Sequence, residues 1–333
     1  MIDESALGTR DRKGAWVPDR RVGYGPLFAW PIRPGRIARW FVSYPGYLLP
    51  WNAVYLAIGL LVWFFATPST ETMTTFRPGW IALILLRNLA IVVAWYGLFH
   101  LRLYVRRAQD TRTKFNARWP REGSRFTFGD QTKENVFWTL ASGVPIVTAY
   151  EVVTHWLFAN GHITWLRWDD HPIWIVLIFL VIPIWREIHF YAIHRLIHVP
   201  ALYKRVHSLH HRNTNPGPWS GLSMYPVEHL LYFSAIAIHW IVSSHPAHAM
   251  FTQFHLLLAP TPGHSGFEKI EVGNGAIETN GFGHYLHHKY FEVNYSDGVV
   301  PLDKWFGSFH DGSAEGLARF KARPGDATAD GGD

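Results

Sequence analysis

Pro172-Ile-Trp-Ile-Val-Leu-Ile-Phe-Leu-Val-Ile-Pro-Ile-Trp-Arg-Glu-Ile-His-Phe-Tyr-Ala-Ile-His194-Arg-Leu-Ile-His198 opens on a long apolar run and ends in two histidines four residues apart. Residues 172–193 are long enough to cross a bilayer, which takes roughly 20 apolar residues. They are apolar on most faces, unlike the single stripe of a water-soluble surface helix. Three earlier stretches, about 47–67, 80–101 and 136–158, read the same way. A fifth apolar region, about 226–260, is broken by Ser243-Ser-His-Pro246 and reads as a helical hairpin, spanning or re-entrant. The expected fold is therefore all-α: an integral-membrane bundle of four spans plus a hairpin, capped by a His-rich helical layer. A water-soluble buried bundle is the alternative, and the number of long runs disfavours it.

Outward from these runs, the chain divides into a polar N-terminal segment (1–46), a membrane-embedded domain (47–310) and a Gly/Ala/Asp-rich tail (311–333) expected to be disordered. Residues 1–40 do not resemble a signal peptide, because they are polar and carry eight Lys/Arg. Orientation follows from where the basic residues fall. Segment 102–125 carries Arg102, Arg106, Arg107, Arg112, Lys114, Arg118, Arg121 and Arg125, whereas loops 68–79 and 159–171 carry one arginine each. That asymmetry puts the N-terminus, the 102–135 connection and the segments after residue 193 on the cytoplasmic side. The net charge of +6 sits beside apolar runs, as in cytoplasmic membrane anchors, and no nucleic-acid-reading motif accompanies it.

The 333 residues include 20 histidines and no cysteine, so a metal site here must use His, Asp or Glu. Three clusters stand in order: His194-Arg-Leu-Ile-His198, His207-Ser-Leu-His210-His211 and His284-Tyr-Leu-His287-His288. Residues three or four apart share a helix face, so His194 and His198 can meet one ion, as can His207 with His210 or His211. Adjacent histidines point about 100° apart and can serve two ions. Eight imidazoles exceed the four to six positions of one ion and suit two. Neutral imidazole favours Zn, Cu, Fe or Ni over Mg or Ca. Isolated histidines such as His155 and His239 read instead as hydrogen-bonded packing residues.

The run Tyr191–His211, and the later run from His284 through Asn294-Tyr295 to Asp303-Lys-Trp-Phe-Gly307, resemble the fatty acid hydroxylase/sterol desaturase superfamily over roughly residues 140–310. The resemblance implies an integral-membrane di-iron oxygenase that uses O₂ to hydroxylate or desaturate a sterol, fatty acyl or related lipid. It implies that the eight motif histidines are iron ligands, with His264 in Gly-His-Ser-Gly as a further one. Glu187 lies two helical turns before His194 and is expected either to accept the outer N–H of a ligand imidazole or to pair with Arg186 or Arg195. A family histidine is replaced here by Tyr225, in Tyr225-Pro-Val-Glu228-His229; Glu228 keeps the acidic position, and His229 is a candidate for the missing imidazole. Trp219, Tyr225, Phe282 and Tyr285 are candidate lining of a lipid groove.

The sequence has no haem-attachment motif and no dinucleotide fingerprint, since Gly273-Asn-Gly275 follows no clear strand. Electrons are therefore expected from a separate donor, such as a cytochrome b5-like protein or a ferredoxin. Two rival readings are a zinc-dependent membrane hydrolase, for which HExxH is missing, and a His-rich metal transporter, which would carry ionisable residues within several spans.

Overall fold

The computed structural model describes residues 7–11 and 14–322. After a small antiparallel ribbon of β1 (Gly8–Arg10) and β2 (Trp16–Pro18), the chain forms α1 (Pro34–Val42) and α2 (Trp51–Phe65). Three helices long and apolar enough to cross a membrane follow: α3 (Pro78–Val105), α4 (Gln131–Ala159) and α5 (Pro172–Ile197). The first expected span is shorter than the sequence suggests. Pro50 precedes it and Thr67-Pro68 follows it, and the 15 residues between cover about 22 Å, against a hydrocarbon core of about 30 Å. Within α4, residues Thr139–Gly143 widen into a π-turn. Pro145, one turn into the following stretch, lacks an N–H, so the regular ladder cannot run through it.

The 226–260 region is a hairpin. Its first arm is α6 (Pro226–Phe233) continued by a 3₁₀ segment, Ser234–Trp240, and its second is α7 (Pro246–Leu258). Every residue of α7 is buried, so it forms the centre of the bundle and faces protein on all sides. Gly59 lets α2 lie against it; a Cβ there would sit 3.2 Å from the Phe251 backbone. The main core joins Tyr55, Val92, Tyr96, Val147, Ile182, Phe233, Phe251 and Phe254. Outward-facing residues of α3 and α5, among them Leu83, Leu86, Leu98, Ile173, Val176 and Val181, stay exposed, as lipid-facing side chains should.

The tip of the hairpin pairs with the α4–α5 loop, where Leu166 N–H donates to the Ser244 carbonyl. The end of α2 lies in the same layer, Trp63 being packed against Trp165 and His245. All the histidine clusters lie at the opposite end of the bundle. There the 106–130 connection is fastened to the segment beyond the second cluster, where Asn215 accepts from Lys114 and donates to the Arg118 carbonyl, while Gln131 and Asn135 at the start of α4 both donate to Asn213.

Three features depart from the sequence expectations. Gly273-Asn274 is the two-residue turn of an antiparallel ribbon, β3 (Lys269–Val272) with β4 (Gly275–Glu278), so a strand does precede it. Gly273 takes φ +57°, which glycine adopts without steric cost. The start of the tail is ordered as α9 (Ala314–Lys321), capped by Ser313 and buried through Phe320 against Leu286 and Val293, while residues 323–333 lie outside the described residues. The N-terminal segment is folded onto the cap, with Trp16 buried and donating to Glu268.

Candidate metal centre

Five elements deliver the histidines. His194 occupies the last turn of α5 and His198 its C-terminal cap. His207 closes a π-turn, Tyr203–His207, and His210 and His211 begin a 3₁₀ turn. His264 ends the short helical turn Pro260–Gly263 that follows α7. His284, His287 and His288 project from α8 (Phe282–Tyr290).

Their ring nitrogens form two groups, each with ligand atoms within 4.8 Å of one another: His194, His198, His207, His211 and His287, and beside them His210, His264, His284 and His288. The grouping follows the helical spacing where that spacing gives one reading, and puts His207 with His211 where it allows either His210 or His211. His194 and His198 share a group, while the adjacent pairs His210/His211 and His287/His288 split between the two.

Oxygens outside the cluster fix the rings. The Nδ1–H of His194 donates to the Tyr295 carbonyl (2.9 Å), that of His287 to Val293 (2.7 Å) and that of His264 to Pro260 (2.9 Å). His207 Nδ1–H donates to the Glu228 carboxylate at 2.6 Å. Each such bond leaves the lone pair on Nε2, pointing inward.

These inward nitrogens satisfy the donor requirements of a metal centre. His194 Nε2 and His207 Nε2 are buried without a partner. His287 and His211 bring their Nε2 atoms to 3.0 Å. The single Nε2 lone pair of His264 faces the Nε2 atoms of His284, His210 and His288 at 2.9–3.3 Å, and His284 and His288 face each other at 3.1 Å. Hydrogen bonds cannot satisfy so many converging nitrogens, whereas a cation shared by the lone pairs can. Burial, reinforced by neighbouring imidazoles, holds the rings neutral: His198 is lowered to about 2, His264 to about 4, and His207, His210, His211, His284, His287 and His288 lie well below the usual histidine range. Neutral imidazole is the ligating form.

The remaining candidates lie elsewhere. His229 is not brought to either group; Ser142 Oγ lies 3.0 Å from its Nδ1 and the Leu222 carbonyl 3.1 Å from its Nε2, so both nitrogens are engaged inside the helix packing. Glu187 does not touch a cluster imidazole. It accepts the backbone N–H groups of Gly298 and Val299 and ties α5 to the loop after the third cluster, while Arg186 pairs with Asp297 in the same loop. Glu228 is the carboxylate that meets a cluster histidine.

The sequence reading includes Asp303 in the family-like ending but gives it no role. It is buried and accepts four bonds, from Tyr295 N–H, Ser296 N–H, Ser296 Oγ–H and Ser308 Oγ–H, and so fixes the peptide whose carbonyl orients His194. Backbone acceptors such as the Tyr295 and Val293 carbonyls leave no side-chain signature, although an acid among Ser and Asn residues after the third cluster is a legible turn signal.

A cavity of about 470 Å³ reaches His194, His207, His210, His264 and His284 from the outside. Its walls include Trp51, Tyr55, Phe190, Met224, Tyr232 and Phe282. Of the four aromatics expected to line a groove, only Phe282 does so. Trp219 is packed in the main core, Tyr285 stacks on Phe115, and Tyr225 meets Trp138.

Residues 179–308 match the family model described as Fatty acid hydroxylase. Among curated proteins, the chain is similar to a Delta(7)-sterol 5(6)-desaturase of Gibberella zeae (26% identical, covering 40% of this chain and 42% of the relative). It is similar to another of that name from Aspergillus fumigatus (28% identical, 40% and 49%) and to fatty acid hydroxylase domain-containing protein 2 of Macaca fascicularis (30% identical, 28% and 29%). The chain thus spans about half or less of the length of these relatives. No solved structure matches it. Residues 179–308, which contain all the histidine clusters, match the fatty acid hydroxylase family, and the sterol desaturase relatives support the same superfamily, fatty acid hydroxylase/sterol desaturase.

Proposed function

We propose that this protein is an oxidoreductase that holds two iron ions in the two histidine groups and uses O₂ to hydroxylate or desaturate a membrane lipid. The observation that carries the reading is the convergence of nine neutral imidazoles, eight buried and His198 half-buried, as adjacent groups of five and four at the inner end of a cavity. Zinc has one stable oxidation state, whereas a pair of irons supplies O₂ reduction and the oxidising power that C–H cleavage needs.

The protein supplies position and dryness. The carbonyls of Tyr295, Val293 and Pro260 and the carboxylate of Glu228 keep four rings in the tautomer that presents Nε2. Phe190 packs against His194 and His284 and lines the cavity beside them. The aromatic walls hold a lipid chain beside the histidines and exclude bulk water, which is how a fixed geometry lowers a barrier. Hydroxylation consumes O₂, two electrons and two protons and yields the alcohol and one water; desaturation consumes the same and yields the alkene and two waters. The electrons come from a separate protein, of the cytochrome b5 or ferredoxin kind. Arg106, Arg107, Arg118 and Arg125 are exposed at the histidine end and offer it a basic docking face, and the same excess of basic residues supports a cytoplasmic position for that end.

The test is lipid analysis of cells expressing the wild-type chain, His198→Ala or His284→Ala, one substitution in each group. A lipid that gains one oxygen or loses two hydrogens with the wild type, and with neither variant, supports the proposal. An unchanged lipid profile, or a product that persists in both variants, contradicts it.

A further inference from the structure

The strap ahead of α2 carries more charge and apolar surface than the fold uses: of its arginines, Arg20 pairs with Glu278 at 2.8 Å, whereas Arg36 and Arg39 face away from any such partner among the described residues. From Arg20 to Thr70 the chain has no Asp or Glu, yet it has Arg20, Arg21, Arg33, Arg36 and Arg39. α1 turns Ile37, Trp40 and Phe41 toward the protein, Trp40 and Phe41 lying against Tyr47 at 5.1 and 4.6 Å between ring centroids. Arg36 and Arg39 share a neighbouring flank, and among the described residues neither side chain has an ion-pair or hydrogen-bond partner. Around them stand bare apolar side chains: Trp30 is 87% exposed, Val42 64% and Ile32 59%. Large apolar side chains interleaved with unpaired arginines mark a surface that meets a bilayer interface.

The depth of α2 puts α1 at that interface. The C-terminal end of α2 reaches the layer of the hairpin tip, and its 15 residues rise about 22 Å from there. With the hairpin tip at one edge of the hydrocarbon core, the start of α2 lies roughly 8 Å inside the other edge, a gap that residues 43–50 cover to bring α1 to the membrane boundary on the histidine side. Arg36, Arg39, Trp40, Ser43, Ala29 and Pro26 line a cleft of about 370 Å³. Tyr24, Gly25, Pro26 and Trp40 line both this cleft and the cavity that leads to the histidines.

We infer that α1 lies in the membrane interface and that the Arg36/Arg39 cleft binds the phosphate headgroup of an anionic phospholipid, anchoring the mouth of the cavity to the leaflet. Two guanidiniums complement a phosphate, and the flanking Trp30, Ile32 and Val42 complement acyl chains. A soluble acidic protein would match the arginines but not the exposed apolar residues between them.

The absence of cysteine makes the test specific. The full-length protein bearing Ile32→Cys is labelled with an environment-sensitive fluorophore and placed in phosphatidylcholine nanodiscs containing increasing phosphatidylglycerol. Glu315→Cys on α9 provides the aqueous control. Phosphatidylglycerol should shield the label at residue 32 from an aqueous quencher and leave the label at 315 unchanged. Replacing either arginine by glutamine should weaken the apparent phosphatidylglycerol affinity about fivefold, and replacing both about 25-fold. Arg36→Lys with Arg39→Lys should restore most of it. Shielding that ignores phosphatidylglycerol, survives Arg36→Gln with Arg39→Gln, or is produced by polyglutamate instead of lipid would overturn the inference. Metal content is measured on the same samples; the inference stands or falls on the quenching whatever metal is found.

Discussion

Glu187 and Glu228 are both buried beside the histidines, but they hold different things. Glu228 accepts the Nδ1–H of His207, so its charge strengthens that imidazole as a donor and fixes its ring. Glu228→Gln keeps the shape and removes the charge; iron retention during dialysis against a chelator should fall by roughly 10–100-fold relative to wild type. Glu187 instead closes the loop at Gly298 and Val299. His229 shows how far helical spacing carries: it lies on α6 close to Glu228 in sequence, yet its ring is turned into the packing beside Gly143. His229→Ala should leave iron content per chain unchanged while costing about 1–3 kcal/mol of stability, because the Leu222 carbonyl and Ser142 lose a buried partner. Metal analysis and thermal unfolding of one preparation separate the two effects.

At the scale of elements, much of the site was legible because helix geometry leaves a spacing signature. The four-residue step from His194 to His198 and the adjacent pairs at His210 and His287 suggest two groups without coordinates, but they leave open the partner of His207 and which members of different clusters meet. What spacing could not show was the backbone. The carbonyls that orient His194 and His287 belong to Tyr295 and Val293, in a loop whose shape is set by Asp303. Asp303→Ala removes four acceptor bonds at once and should lower stability by about 3 kcal/mol or more, read as a fall in melting temperature, with weaker iron binding following from the released Tyr295 carbonyl. The long helices were legible from hydropathy, while α2 was overestimated because apolar residues continue past the prolines that end it. The β3–β4 ribbon carried a signal in Gly273-Asn274, a two-residue hairpin turn flanked by short strands.

At the scale of the molecule, a cluster of buried neutral imidazoles makes the metal-free protein sensitive to acid. Their folded-state pKa values lie below the unfolded value of about 6.5, so unfolding takes up protons as the pH falls. The stability of the metal-free chain should be flat above about pH 7. It should decline as the pH drops from 6.5 toward about 4, the value for His264, by up to ~1.4 kcal/mol per pH unit for each histidine that stays neutral only when folded. Bound metal should shift the decline to lower pH, since the ion competes with protons for the same lone pairs. Chemical denaturation across that range, with and without added iron, reads both. A profile independent of pH would mean that the histidines are solvated in the folded protein.

All of this depends on two cations occupying neighbouring sets of imidazole nitrogens at one end of a membrane bundle. The most direct measurement is iron stoichiometry by mass spectrometry on the purified protein, paired with Mössbauer spectra of samples grown on enriched iron. The expected result is two irons per chain in nitrogen-rich surroundings, one of them lost on His264→Ala. A single ion per chain, or zinc alone in an active preparation, would contradict the di-iron assignment.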